Sequence, residues 1–312
     1  TPQTPSQPPD LTSSLEKLAV LHLKEKRKSR QWGGVLKLII LFYVGVMLLS
    51  FSSLRLIDFP FSGKNIAAIV RIDGPIVSGG LTNATDINDA LTEAFENGNT
   101  AGVILEINSP GGSPVQAGRI YDHIISLKEK HNLPLYVVVG DICASGGYYI
   151  ASAADEIYAD KASLIGSIGV RMDSFGFTDV LSKTGIERRS FIAGENKGFL
   201  DPFLPLRTQH AEHAQLLVDE IHEQFISAVK KGRGERLQLE KVKLFSGLVW
   251  TGAKSVELGL ADGLGTTLSV SETSIGVVDT RDFTRTDESM GSWVRQLIST
   301  FNDFAIFFNR VL

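Results

Sequence analysis

Cysteine is almost missing from this 312-residue chain. Cys143 stands alone, which excludes an intrachain disulfide and a cysteine-rich zinc site, and leaves the redox compartment open. An excess of positive charge is missing too. With 31 Lys and Arg against 35 Asp and Glu the formal net charge is -4, so no basic surface supports a nucleic-acid partner. There is no glycine-lysine phosphate loop and no self-similarity at a period of about 20–50 residues, which argues against a nucleotide cofactor and a solenoid. Histidine is sparse: of the six, His22, His123, His131, His210, His213 and His222, none falls between residues 132 and 209.

What is present begins with one long apolar run. "LIILFYVGVMLLSFSSL", Leu38 to Leu54, carries no charge, and with Gly33 to Lys37 it reaches the roughly 20 residues that cross a bilayer. The basic cluster "KEKRKSR", Lys24 to Arg30, precedes it, and only Arg55 and Asp58 follow closely. The positive-inside rule then places the N-terminus in the cytoplasm and the rest outside. A cleaved signal peptide is the rival, but it has a short charged region and an apolar core of about 7–15 residues. The organisation expected is a polar and basic tail over 1–31, a transmembrane anchor over 32–56, an extracytoplasmic domain over 57–272 and a C-terminal extension over 273–312. In that extension Trp293, Leu297, Phe301, Phe304, Phe308 and Val311 recur at helical spacing.

Beyond the anchor, strand and helix patterns alternate. The runs at 65–76, 100–112 and 134–142 read as strands, and those at 86–98, 115–130, 146–155 and 208–231 as helices. This order predicts crossover connections and a largely parallel sheet, hence an α/β fold. Two strands run into glycine-rich turns, "INSPGGSP" (107–114) and "GDICASGG" (140–147). In a parallel sheet both turns lie at the same edge, where backbone N–H groups can cradle a developing oxyanion. Gly111, Gly112 and Gly146 are the candidate donors, against the plainer role of permitting tight turns.

Ser145 stands at the corner between a strand and a helix, where a hydroxyl is open to attack a substrate. It needs a base. His210 and His213 lie on a helix rich in Glu and Gln, where both are expected to face solvent. A lysine can act as the base when burial favours its neutral form. Lys197, in "FIAGENKGFLDPFLP", has apolar and small neighbours that could remove it from water; composition leaves it equally a surface charge. Cys143, two residues before Ser145, is either a redox-sensitive neighbour or a small buried filler.

The blocks "INSPGGSP", "GDICASGGYYIASAADEIYA", "SLIGSIGV", "AGENKGFLDPF" and "FSGLVWTGAKSVELGLADGLG" together resemble the signal peptide peptidase A (protease IV) family, in its short, single-domain, membrane-anchored form. The resemblance spans about residues 65 to 270. It implies a Clp-protease/crotonase-like fold of repeated β-β-α units and a Ser–Lys dyad without cofactor. Ser145 is then the nucleophile, Lys197 the general base and Ser167 the residue that orients the lysine. Gly146 with Gly111 or Gly112 would form the oxyanion hole. The resemblance also implies a homo-oligomeric ring with active sites near subunit boundaries, acting on remnant signal peptides and other exposed peptides at the bacterial inner membrane. A crotonase-like acyl-CoA enzyme and a quality-control scaffold with a lapsed dyad are the competing readings; nucleic acid is not an expected partner.

Overall fold

The computed structural model describes residues 65–80 and 82–285, together with Phe42 and Tyr43. Among the described residues no helix is long and apolar enough to cross a membrane. The rest of the expected anchor and the apolar stripe from Trp293 to Val311 lie outside them. All the elements below belong to the unit Gly63–Leu312.

Strand β1 (Ile66–Asp73), helix α1 (Ala84–Glu96), strand β2 (Thr100–Ser109), helix α2 (Pro114–His131) and strand β3 (Leu135–Ala144) follow the expected alternation. β1 pairs parallel with β2 from Ile66↔Thr100 to Asp73↔Asn108, and β2 pairs parallel with β3 from Val103↔Leu135 to Ser109↔Cys143. Parallel neighbours cannot be joined by a hairpin, so each connection carries a helix across one face of the sheet. On α1 the residues Ile87, Ala90, Leu91, Ala94 and Phe95 repeat at three- and four-residue steps and are buried there. Asn83 caps this helix by accepting from the N–H groups of Thr85 and Asp86. Ser113 caps α2, whose first residue is proline, and Asn132 ends it in the left-handed region at φ 53°.

Helix α3 (Gly146–Ala151) leaves the end of β3. The sequence pattern predicts a helix as far as residue 155, but it stops at Ala151 because the chain turns back to start β4 (Glu156–Ala159) beside β3. The Asp155 carboxylate accepts the Leu135 N–H at 2.8 Å and pairs with Lys128 at 2.7 Å, fixing that return. Strand β5 (Leu164–Gly166) pairs with the last residues of β3, Ile142 to Ala144, in parallel. Helix α4 (Thr178–Thr184) and the long helix α5 (Thr208–Arg233) come next, then β6 (Val249–Thr251), α6 (Gly252–Glu257), β7 (Gly263–Leu264), α7 (Thr267–Val270) and β8 (Thr280–Asp282). The sheet order is β6-β5-β3-β2-β1-β8, with β4 paired to β3 and β7 to β4, and only the β5–β6 pair is antiparallel. The expected α/β class with a largely parallel sheet is therefore observed, and β8 lies within the stretch expected as an extension.

One buried cation fastens the end of α5 to this sheet. Arg233 is 1% exposed; its guanidinium donates to both carboxylate oxygens of Asp262, at 2.7 and 3.0 Å, and to the Gly259 carbonyl at 3.0 Å. Asp262 also accepts the Ile157 N–H at 2.7 Å, so the pair ties α5 to β4. Burial alone would raise the Asp262 pKa, but the hydrogen bonds and charge of Arg233 outweigh it and hold the carboxyl below its usual range. A carboxyl depressed in the folded state contributes stability that is present above its unfolded pKa, about 3.9, and is lost as the pH falls through the folded value. Asp262→Asn is thus expected to cost roughly 3–5 kcal/mol at neutral pH, because it strands a buried guanidinium. Urea titrations across pH should show that gap narrowing in acid, and equal stabilities at pH 7 would contradict the assignment.

Candidate active site

The parallel strands end at one edge of the sheet, and their neighbouring ends carry two serines. Ala144 of β3 pairs with Gly166 of β5, and the next residues are Ser145 and Ser167. Both have φ of 52°, and they are two of the four non-glycine residues with positive φ among the described residues. Such backbone costs about 1–3 kcal/mol per residue and persists only where its surroundings enforce it. Here they do: the Ser145 N–H donates to the Gly166 carbonyl at 2.9 Å, and the Ser167 N–H to the Leu248 carbonyl at 2.7 Å.

The turn after β2 packs on this corner without room for a side chain. A Cβ on Gly111 would lie 2.7 Å from both the Gly146 nitrogen and Ser145 Cβ, and 2.8 Å from the Ala144 oxygen. A Cβ on Gly112 would collide with the Ile76 carbonyl, which accepts the Ser113 N–H at 2.8 Å. The three candidate donors are not equivalent. The Gly111 N–H is spent on Ser109 Oγ at 3.1 Å, and that hydroxyl donates to the Gly74 carbonyl at 2.7 Å. Among the described residues the N–H groups of Gly112 and Gly146 donate to no protein acceptor. They are close neighbours, since a Cβ on Gly146 would stand 3.3 Å from the Gly112 nitrogen. Two free donors beside a hydroxyl are groups that can stabilise an oxyanion in acyl transfer.

Ser145, Ser167, Gly112 and Gly146 line one cavity of about 750 Å³. Its walls include Pro110, Val170, Phe245 and one face of α5, with Gln215, Val218, His222 and Phe225 at helical spacing. Tyr149 lines the cavity against Phe225, ring centroids 5.1 Å apart, and Tyr121 backs it at 5.3 Å. His222 is the residue that sequence reasoning missed. Its Nε2–H donates to the Ile168 carbonyl at 3.2 Å, one residue beyond Ser167. Its spacing of three from Phe225 and four from Val218 was the available signal.

Lys197 does not line this cavity. It is exposed, in a turn where its N–H donates to the Gly194 carbonyl at 3.0 Å, within the segment 171–207. The expectation that its neighbours draw it out of water is not met within one chain, because Phe199 turns instead toward α5. There it packs edge-on against His210 and His213, each at 5.5 Å. His213 is exposed as expected, but His210 is buried at 6% exposure. Cys143 is fully buried and burial pushes its thiol well up, which fits a filler and removes the thiolate a redox role would need.

The sequence profile of peptidase family S49 matches residues 128–274, a span that holds Ser145, Ser167 and Lys197. A protein of Synechocystis sp. whose name marks it as a candidate protease is 34% identical over 211 residues, covering 66% of this chain and 73% of that protein. Protease 4 of Haemophilus influenzae is 30% identical over 240 residues, covering 75% of this chain and 38% of that protein. A Brucella melitensis protein named Na(+)/H(+) antiporter NhaA is 45% identical over 213 residues, covering 67% of this chain but only 29% of the Brucella protein. The chain belongs to peptidase family S49, the signal peptide peptidase A family.

The fit of the glycine turn against the serine corner can be measured directly. Gly111→Ala is expected to lower the unfolding free energy by roughly 1–3 kcal/mol, through the left-handed φ of 99° and the overlaps above. Gly98→Ala, where a Cβ meets nothing within 4 Å, should stay within about 0.5 kcal/mol of the parent. Equal effects in urea titration would refute the close-packing argument.

Proposed function

We propose that this protein is a membrane-anchored serine endopeptidase that hydrolyses remnant signal peptides and other exposed peptides through an acyl-enzyme. The observation that carries the reading is the placement of Ser145 and Ser167 on one cavity beside the unpartnered N–H groups of Gly112 and Gly146. Ser145 Oγ attacks the scissile carbonyl carbon while Lys197 Nζ takes its proton. The carbonyl oxygen gains charge between the N–H groups of Gly112 and Gly146, and Ser167 orients the lysine. The protonated lysine then gives its proton to the leaving amine, breaking the C–N bond. Water, deprotonated by the same lysine, attacks the ester carbon, and the lysine returns that proton to Ser145 Oγ as the C–O bond breaks and the peptide acid leaves. In this reading the fold is the Clp-protease/crotonase-like arrangement of β-β-α units, and the name of the Haemophilus relative, Protease 4, points to the same reaction class.

Lys197 reaches Ser145 from a neighbouring subunit. Support for a homo-oligomeric ring comes from the segment that bears the lysine, which exposes Phe175 at 72%, Ile186 at 59%, Phe191 at 98% and Leu206 at 67%. Apolar exposure on that scale, in one segment, marks an interface. Docking it on a second copy would cover these side chains and draw the amine out of water beside Ser167. The aromatic floor of Tyr149 and Phe225 suits substrates with small or apolar side chains. The anchor over 32–56 holds the domain on the extracytoplasmic side of the bacterial inner membrane, where such peptides arise. A second reading, with His222 as the base, draws on that residue's place in the same cavity. Its Nε2 is engaged by the Ile168 carbonyl, which favours a supporting role.

Chains carrying Ser145→Ala or Lys197→Ala should each assemble and lack peptide cleavage. Mixed in equal amounts and co-assembled, they should regain about a quarter of the parent rate, since one junction in four joins an intact serine to an intact lysine. Co-assembled rings without turnover would refute the shared site. Activity in the Lys197→Ala chain that is lost in His222→Ala would move the base to the histidine, and turnover by Ser145→Ala would favour the acyl-CoA reading.

A further inference from the structure

We infer that His210 is a positioning residue for the general base, holding the Lys197 turn against α5 through Asn196. The inference rests on the Ser–Lys reading above and adds to it a residue that touches neither substrate nor nucleophile. His210 lies in the first turn of α5 and is 6% exposed. Its Nε2 bonds to Asn196 Oδ1 at 3.2 Å, so the side chain directly before Lys197 is tied to the helix. Phe199, two residues after Lys197, packs edge-on against His210, and Arg207 donates to the Glu195 carbonyl at 3.3 Å. Residues on both sides of the lysine are thus attached to one short stretch of α5, while Lys197 itself is left free and exposed.

The chemistry of the choice points to the turn. Burying an imidazole is costly unless its polar atoms are paired, and an apolar side chain would pack on Phe199 as well. A buried histidine is explained by what its Nε2 holds, which is Asn196. The same helix, further along, lines the cavity of Ser145 with Val218, His222 and Phe225. One element therefore holds the turn of the base at its start and, in its middle, lines the cavity of its own chain's Ser145, which in the proposed ring a neighbouring chain's lysine completes. A lysine side chain has four rotatable bonds, so its amine is placed accurately only if its backbone is fixed.

The test measures kcat and KM for peptide cleavage by the full-length ring in His210→Ala, His210→Gln, Asn196→Ala and Lys197→Ala variants. His210→Ala and Asn196→Ala are expected to lower kcat about 10- to 100-fold, with KM within about twofold and ring size unchanged. His210→Gln keeps an N–H donor at the same reach but loses the ring, and should recover most of kcat. A purely structural role would give the opposite pattern, with Gln no better than Ala and both losses following ring dissociation or a lower unfolding temperature; that result would overturn the inference. Parent-like kcat in His210→Ala and Asn196→Ala, alongside an inactive Lys197→Ala, would overturn the latch while leaving the dyad intact. Turnover retained by Lys197→Ala would overturn the dyad, and the latch with it.

Discussion

Ser145 holds a backbone conformation that a serine adopts only under constraint, and the constraint comes from two neighbours that themselves have no side chains. The Gly166 carbonyl accepts its N–H on one side, and Gly111 lies on the other, where any side chain would overlap Ser145 Cβ. The parallel register makes both contacts possible, because it brings the ends of β2, β3 and β5 to one level. With the corner closed in this way, the N–H groups of Gly112 and Gly146 are left adjacent to each other and, among the described residues, unpaired. The strain at Ser145 and Ser167 is carried by the sheet, whose central strands are buried and well paired, so the site is fixed before any substrate arrives.

How much of this was legible in the sequence depends on whether the signal was local. The three central strands announced themselves as β-branched runs broken by glycine and proline, and Ser145 stood out because nothing bulky surrounds it. The roles of the glycines did not, since only the hydroxyl of Ser109 distinguishes Gly111, whose N–H is occupied, from Gly112, whose N–H is free. Arg233 sits in "KKGRGER", a run that reads as a solvated helix end; its burial depends on Asp262, which is remote in sequence. His210 likewise lies among Glu and Gln, and only the fold of Phe199 and Asn196 onto it makes its position interior. Strand β8 is three exposed residues whose identity as a strand comes entirely from the free edge of β1.

The segment between β5 and α5 behaves differently from the rest of the unit. Its own aromatic side chains pack on one another, Phe177 with Phe175 and Phe203, and Arg188 stacks on Phe203 while pairing with Asp201. No residue of α4 is buried. The segment thus satisfies itself locally while leaving Phe175, Ile186, Phe191 and Leu206 exposed. On the proposed Ser–Lys reading, catalysis would be conditional on assembly, because within one chain Lys197 does not line the cavity that holds Ser145 and the N–H groups of Gly112 and Gly146.

In the proposed reaction the hydroxyl at the β3 corner is the attacking atom, and its power comes from the surrounding donors and an amine. Intact-mass and peptide mapping of the assembled protein after treatment with a peptidyl phosphonate tests it most directly. One adduct per reactive chain is expected, on Ser145, forming far more slowly when Lys197 is alanine. An adduct on Ser167 or another residue, or labelling of Ser145 at the same rate without the lysine, would contradict it.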